Sequence, residues 1–280
     1  TQIIVLASVA AIGFALFLAW ELTEEHPVVD LRLFGRRNFL WGTLALSVAY
    51  GLFFGNIVLL PLWLQQYLGY TATWAGMATA PVGILAIMLS PWVGKNVSKI
   101  DPRKLATVAF LGFGLIMWMR SRFNVQADFA SILVPTFLQG AAMAFFFIPL
   151  QAIIFSGLAP NRIADAAGLS NFVRITAGAI GTSIFTTAWE NRAILHHSEI
   201  AETVNRGNDA ATATIAQLGQ GGLDTSQALA MINRLIDQQS YTMAATDLFY
   251  ISSVLFVFLL VFVWMTKPTL GAAAAAGGAH

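Results

Sequence analysis

Apolar residues run in long blocks along this chain, separated by short polar connections that hold most of the charge. A helix needs about 20 mainly apolar residues to cross the hydrocarbon of a bilayer. Seven blocks have roughly that character: residues 3–20, 39–68, 74–93, 105–119, 129–155, 166–189 and 248–266. The fourth is short, and the pattern predicts that it extends past Arg120, whose side chain snorkels to the interface. The second is long, and Gly51, Gly55 and Pro61 give it places to tilt or kink. One connection breaks the rhythm. Residues 190–247 are polar, with apolar positions at helical spacing over 200–218 and 225–241, split by Gly219, Gly221 and Gly222. That pattern predicts a helical hairpin standing outside the membrane.

Composition narrows the class further. Hydrophobic residues make up 57% of 280 positions and charged residues only 10%, against roughly 25% charged in a soluble domain. A soluble binding module is excluded. The net charge of +1 gives no reason to expect nucleic acid as a partner. With no cysteine, disulfides, thiolate chemistry and Cys metal sites are absent too. The chain opens on Thr1 directly into an apolar block, with no signal-peptide pattern, which reads as a fragment whose natural start lies upstream.

Orientation follows from the basic residues of the short connections. Arg32, Arg36, Arg37, Lys95, Lys99, Arg103, Lys104, Arg162 and Lys267 fall on one side, and Arg120 and Arg122 on the other. The first set is expected in the cytoplasm, so that Thr1 starts outside and His280 ends inside. Trp20, Trp74, Trp189 and Trp264 near block ends suit interfacial anchoring.

Three stretches carry a family resemblance: HPVVDLRLFGRRNF (26–39), GYTATWAGMATAPVGI (69–84) and SGLAPNRIADAAGLSNFVRITAGAIGTSI (156–184), with a small-residue tail ending GGAH. They resemble the second half of the EmrB/QacA type of drug–proton antiporter, the fourteen-span branch of the major facilitators. The resemblance covers nearly the whole chain. It implies an all-α polytopic membrane protein: the C-terminal six-helix bundle of such a transporter plus one preceding span. The expected layout is an extra span at 1–22, a cytoplasmic connector at 23–38 and five bundle helices over 39–189. The extracytoplasmic hairpin (190–247), the last transmembrane helix (248–267) and a flexible cytoplasmic tail (268–280) follow. Implied partners are the N-terminal half, hydrophobic or cationic drugs, membrane lipid and, in a Gram-negative cell, a periplasmic adaptor and an outer-membrane channel. The implied location is the bacterial inner membrane. No cofactor is expected; the proton gradient supplies the energy.

The loop from Gly94 to Leu105 is similar to the cytoplasmic loop motif of major facilitators. Gly94, Lys99, Arg103 and Lys104 are kept, but Ser98 stands where the family has an acid. The motif implies a gating role for Gly94, Lys99 and Arg103; the bland reading is a basic loop of the kind the positive-inside rule alone produces.

Proton coupling needs a titratable group inside the membrane, yet the 14 acidic residues and four His all lie outside the blocks or at their edges. This stretch therefore holds no evident proton carrier, and the resemblance implies that the carboxylate lies in the N-terminal half. Arg174 is the exception among charges, near the membrane midplane, and Asn171, Arg174, Gly178 and Gly181 share one helical face. Either Arg174 ties helices together through carbonyls, or it tunes a carboxylate across the half interface. Pro135, Gln139, Ala142, Phe146 and Pro149 share a face of the fifth block, and Tyr50, Phe53, Phe54 and Asn56 lie together in the second. Tyr50, Phe53, Phe54, Asn56, Gln139 and Phe146 are the candidate drug-binding residues, since aromatic and amide groups suit flat, partly cationic ligands. Ordinary packing is the simpler account of any single aromatic, while helix bridging and ligand binding explain Gln139 and Asn56 about equally well. A membrane enzyme would need a nucleophile–base pair or metal ligands in a block, and none is present. The remaining alternative is a non-transporting subunit or scaffold that works only with a partner chain.

Overall fold

In hydrocarbon every backbone N–H and C=O must be paired, which leaves helices and closed barrels, and continuous apolar blocks of about 20 residues without alternation fit the helix. The computed structural model describes residues 2–23, 30–204, 209–222 and 224–269, and among these all regular elements are helical. They are α1 (Gln2–Thr23), α2 (Arg37–Gln66), α3 (Ala72–Thr79), α4 (Val82–Asn96), α5 (Pro102–Arg120) and α6 (Phe129–Ala144). Then come α7 (Phe147–Ile154), α8 (Ile163–Thr203), α9 (Asp209–Gln220), α10 (Thr225–Phe258) and α11 (Leu260–Trp264). A helix lies over each of the seven blocks. Four rods are long and apolar enough to cross a membrane by length and composition: Arg37–Gln66, Ala72–Asn96, Phe129–Ile154 and Thr225–Trp264. The chain is an all-α, multi-pass membrane protein. His26–Val29 of the first family-like stretch and the Ala/Gly tail lie outside the described residues.

Two of the rods are broken by proline. Pro81 precedes α4 and ends the α3 ladder, because it has no N–H to offer. Pro149 deprives the Phe145 carbonyl of its partner four residues on, and α6 gives way to α7 at Phe145–Phe146.

Gly51 and Gly55 do something other than bend α2, which runs unbroken through both. They let α8 come close. A Cβ on Gly181 would stand 2.5 Å from the Gly51 carbonyl oxygen, and one on Gly51 would stand 2.8 Å from that of Ala177. Gly55 receives the Phe185 side chain, and Gly178 leaves room for the Tyr50 ring. This is the small-residue packing by which membrane helices gain van der Waals contact where lipid gives no hydrophobic drive. Behind it, Phe53, Phe110, Phe113, Phe146 and Phe256 form an aromatic core of mostly edge-on pairs, with Phe113 and Phe256 stacked at 5.0 Å. Ile84, Ile87 and Met88 of α4, and Val254 and Phe258 of α10, stay exposed.

The polar connection departs from the expected separate hairpin. α8 continues without a break to Thr203, and α10 starts at Thr225 and runs on to Phe258. Where one helix was expected over 200–218, the chain has the end of α8 and then a distinct α9. The two arms are thus outward extensions of the flanking long helices. Trp189 donates through Nε1 to the Tyr241 carbonyl at 3.0 Å, and Tyr67 stacks on Tyr241 at 4.2 Å. On the same seam, Asp247 accepts from both Arg192 (2.7 Å) and His196 (2.9 Å). Asp224 caps α10 in a reciprocal capping box with Gln227.

The opposite, basic end is tied by side chains reaching over long sequence distances. Arg36 donates to the Gly157 carbonyl and Arg37 to that of Met265. Asn38 bonds Ser156 and accepts from the Lys267 backbone N–H, while Asp30 pairs with Arg162.

Candidate functional site

Two polar arrangements stand out, one inside the bundle and one on its surface. The first is built on Arg120. The expectation that it snorkels fails: Arg120 is 2% exposed and fully enclosed by helices. The connection after α5 starts with turns at Ser121–Arg122 and folds over the helix end, so the side chain points inward toward α6. Its Nη2 donates to Gln139 Oε1 at 2.6 Å and to Thr136 Oγ1 at 3.1 Å. Asn56, 0% exposed on α2, donates to Ser252 Oγ at 3.0 Å and to the Leu52 carbonyl at 2.7 Å. A cavity of about 190 Å³ lies between α2, the α3–α4 break and α6. Asn56, Arg120, Thr136 and Gln139 form its polar end, and Ile57, Leu60, Pro61 and Val82 its apolar wall. Gly140 lets the broken rod approach, since a Cβ there would stand 2.2 Å from the Val82 carbonyl oxygen.

The second arrangement is on the α2–α8 seam. The Arg174 guanidinium lies 4.6 Å from the Tyr50 ring centroid and 5.7 Å from that of Phe147, and it donates to Asn171 Oδ1. Tyr50 in turn packs on Phe54 at 4.4 Å. Cation–π contacts of this kind hold a charge without neutralising it. Asn171 is exposed and Arg174 half-buried. Among the described residues no acid pairs with Arg174; the acids that form ion pairs sit at the two ends of the bundle.

The predicted site residues therefore divide. Asn56 and Gln139 meet at the cavity, whereas Tyr50 lies under Arg174 and Phe54 packs on Tyr50. Phe53 and Phe146 are 5% and 2% exposed and belong to the aromatic core. At the basic end, Gly94 lies within α4 with nothing near a Cβ placed on it, and Lys99 is exposed. Arg103 makes a forked pair with Asp101 at 2.7 Å, bonds the Thr266 carbonyl and lies over Trp264 at 5.2 Å. Asp101 caps α5, and its bonds to Arg103 hold its carboxyl below the usual carboxylate range. The acid beside the basic loop is thus Asp101, two residues before its arginine, and not a residue at Ser98. Sequence reading missed Arg120, Thr136 and Ser252. For Arg120 the available signal was a cation directly abutting an apolar block, which the interface explained equally well.

The comparisons with known proteins fit this architecture. The family model described as Major Facilitator Superfamily matches residues 3–182. The chain belongs to the major facilitator superfamily. All 280 residues align at 46% identity with the multidrug export protein EmrB of Escherichia coli strain K12. The alignment takes in 100% of this chain and 55% of that protein, whose C-terminal half it matches. The fatty acid resistance protein FarB of Neisseria gonorrhoeae is 40% identical over 279 residues, 100% of this chain and 54% of FarB. The probable multidrug resistance protein EmrY of Escherichia coli K12 is 40% identical over 269 residues, 96% of the chain and 52% of EmrY. The chain spans about half the length of the curated relatives it matches.

Proposed function

We propose that this major facilitator chain is the C-terminal half of a proton-coupled multidrug exporter that works by alternating access. The observation that carries the reading is 46% identity over all 280 residues to a protein named for multidrug export. Substrates are hydrophobic or cationic drugs, met by Tyr50, Phe54, Asn56 and Gln139, with Phe53 and Phe146 as the rigid backing of those positions. Transporters of this architecture bind near the midplane between halves, so the N-terminal half completes the cavity and supplies the proton-carrying carboxylate. Arg174 and Asn171 face that half. The unneutralised charge of Arg174 makes it the partner of that carboxylate. Gly94, Lys99 and Arg103 act in gating at the basic end, which faces the cytoplasm, and the protein resides in the bacterial inner membrane. The α8–α9–α10 extension docks a periplasmic adaptor leading to an outer-membrane channel.

The test is dye efflux from an exporter-deficient bacterium carrying the full-length gene, with and without a protonophore. Efflux that stops with the protonophore and is lost in Arg174→Gln at normal protein level supports the reading. Full, protonophore-resistant efflux in Arg174→Gln would sink it. Removing α9 is expected to abolish adaptor recovery in a pull-down while leaving the protein in the membrane.

A further inference from the structure

The basic end of the bundle carries an open cavity of about 700 Å³, inside the roughly 300–1,000 Å³ range of small-molecule sites. It lies where α2 begins and α11 ends, the level at which a spanning helix leaves hydrocarbon for the headgroup layer. Arg36, Arg37 and Lys267 line it, and all three are exposed. The two arginines are held by one donor each. Arg36 donates through Nη1 to the Gly157 carbonyl at 2.7 Å, and Arg37 through Nε to that of Met265 at 2.6 Å. Among the described residues nothing accepts from Arg36 Nη2, from either Nη of Arg37 or from Lys267 Nζ, and no ion pair includes any of the three. Asp30, the described acid nearest to Arg36 in sequence, is taken by Arg162. Asn38, also in the lining, bonds Ser156 and the Lys267 backbone and so joins the elements that meet here. Like charges gathered on a fixed frame repel one another, and an anion is the partner they lack.

An apolar strip starts on the same seam. Trp41, one turn into α2 from Arg37, packs on Phe262 at 5.4 Å, and Phe262 on Phe258 at 5.8 Å. Trp41 and Phe262 are half-buried and Phe258 is exposed, so the strip offers apolar surface while leading away from the cations into the span.

We propose that this cavity binds the headgroup of an anionic phospholipid. The phosphate lies on the free Nη groups of Arg36 and Arg37, whose planar forks suit its oxygens, with Lys267 beside it as a point charge. An acyl chain lies along Trp41, Phe262 and Phe258. A free phosphate would use the cations and leave the strip bare; a zwitterionic lipid would bring its own ammonium among the cations. Bound there, the lipid ties the start of α2 to the α7–α8 connection and the end of α11. None of these residues is among those assigned to drug binding or gating, so the site stands or falls independently of drug export.

The test is native mass spectrometry of the full-length protein in detergent, titrated with phosphatidylglycerol and, in parallel, with phosphatidylcholine. The first phosphatidylglycerol is expected to bind more tightly than phosphatidylcholine, by about fivefold or more. Arg37→Gln and Lys267→Gln are each expected to weaken it about fivefold, the share of one cation near a lipid surface. Lys95→Gln removes an exposed cation of the same end that does not line the cavity, and is expected to leave the affinity unchanged. Equal affinity for the two lipids overturns the proposal. So does equal weakening in Lys95→Gln and Lys267→Gln, which would mean diffuse attraction to the basic end. Displacement of the lipid by inorganic phosphate at millimolar concentration would mark a free-anion site and overturns the lipid assignment. Should Arg37→Gln not yield folded protein, Lys267→Gln decides, because the Lys267 side chain is exposed and bonds no described residue: unchanged phosphatidylglycerol affinity there overturns the site.

Discussion

Replacing Gly181 by alanine sets two effects of known sign against each other. In the interior of a helix, alanine is favoured over glycine by about 1 kcal/mol. At Gly181, however, the new Cβ would stand 2.5 Å from the Gly51 carbonyl oxygen and 2.6 Å from its Cα. These are backbone atoms, so no side chain can swing away; α2 and α8 must part by about 1 Å along their whole seam. Overpacking of that kind costs roughly 1–3 kcal/mol, and the separation also loosens the Tyr50–Gly178 contact one turn away. Gly168 on the same α8 is the control, since nothing lies within 4 Å of a Cβ placed there. Gly168→Ala is therefore expected to melt at or above the parent, and Gly181→Ala several degrees below it. The readout is intrinsic tryptophan fluorescence on heating, which eight tryptophans support, whereas thiol-reactive dyes find no cysteine to label. A Gly181→Ala protein that melts with or above Gly168→Ala would refute the close-packed seam.

At the basic end the pH dependence has a definite direction. Asp101 has a depressed folded pKa, held down first by its hydrogen bonds with Arg103. Its contribution is present above the ordinary carboxylate pKa and is lost as pH falls through the lowered folded value. Asp101→Asn is expected to lower the melting temperature at pH 6 and to flatten its fall below about pH 4; an unchanged acid limb would dismiss the pair. Within the bundle, a double-mutant cycle of Asn56→Leu and Ser252→Ala is expected to show a coupling of about 0.5–1.5 kcal/mol, and additive effects would show that their 3.0 Å bond contributes nothing. On the outer extension, Asp247→Asn weakens the contacts to Arg192 and His196. Faster hydrogen exchange in α8 beyond Trp189, with the membrane part unaltered, is the expected result; unchanged exchange would mean that the other contacts between the arms, Trp189 with Tyr241 and His197 with Asp237 and Asn233, hold them without Asp247.

Much of the architecture was open to a reader of the sequence, for a physical reason. A bilayer admits an apolar segment only as a helix of near-fixed length, so block length and hydropathy place the helices without any knowledge of what they touch. The face shared by Pro135, Gln139, Ala142, Phe146 and Pro149 is likewise a property of helical spacing, and all five are buried. The same holds for Gly178 and Gly181, three residues apart and both turned to α2. Hydropathy carries no partner information, however. Gly51 and Gly55 read as places to bend, and only the position of α8 turned them into a contact. Arg120 read as an interfacial cation, because one-dimensional order puts it at the end of a block. The fold of the following connection and the nearness of α6 decide that it points at Gln139. Asp101 fell where the motif had no acid, yet capping geometry brings it onto Arg103. The continuity of α8 and α10 through the polar region was hidden because polar and apolar positions follow different rules inside and outside the bilayer while the backbone helix ignores the boundary. The sequence by itself determined the helices and their buried faces, because those depend on each segment and its solvent. Which faces meet, and where a charge is left uncompensated, depends on packing between segments distant in the chain, and that was decided by the tertiary structure alone.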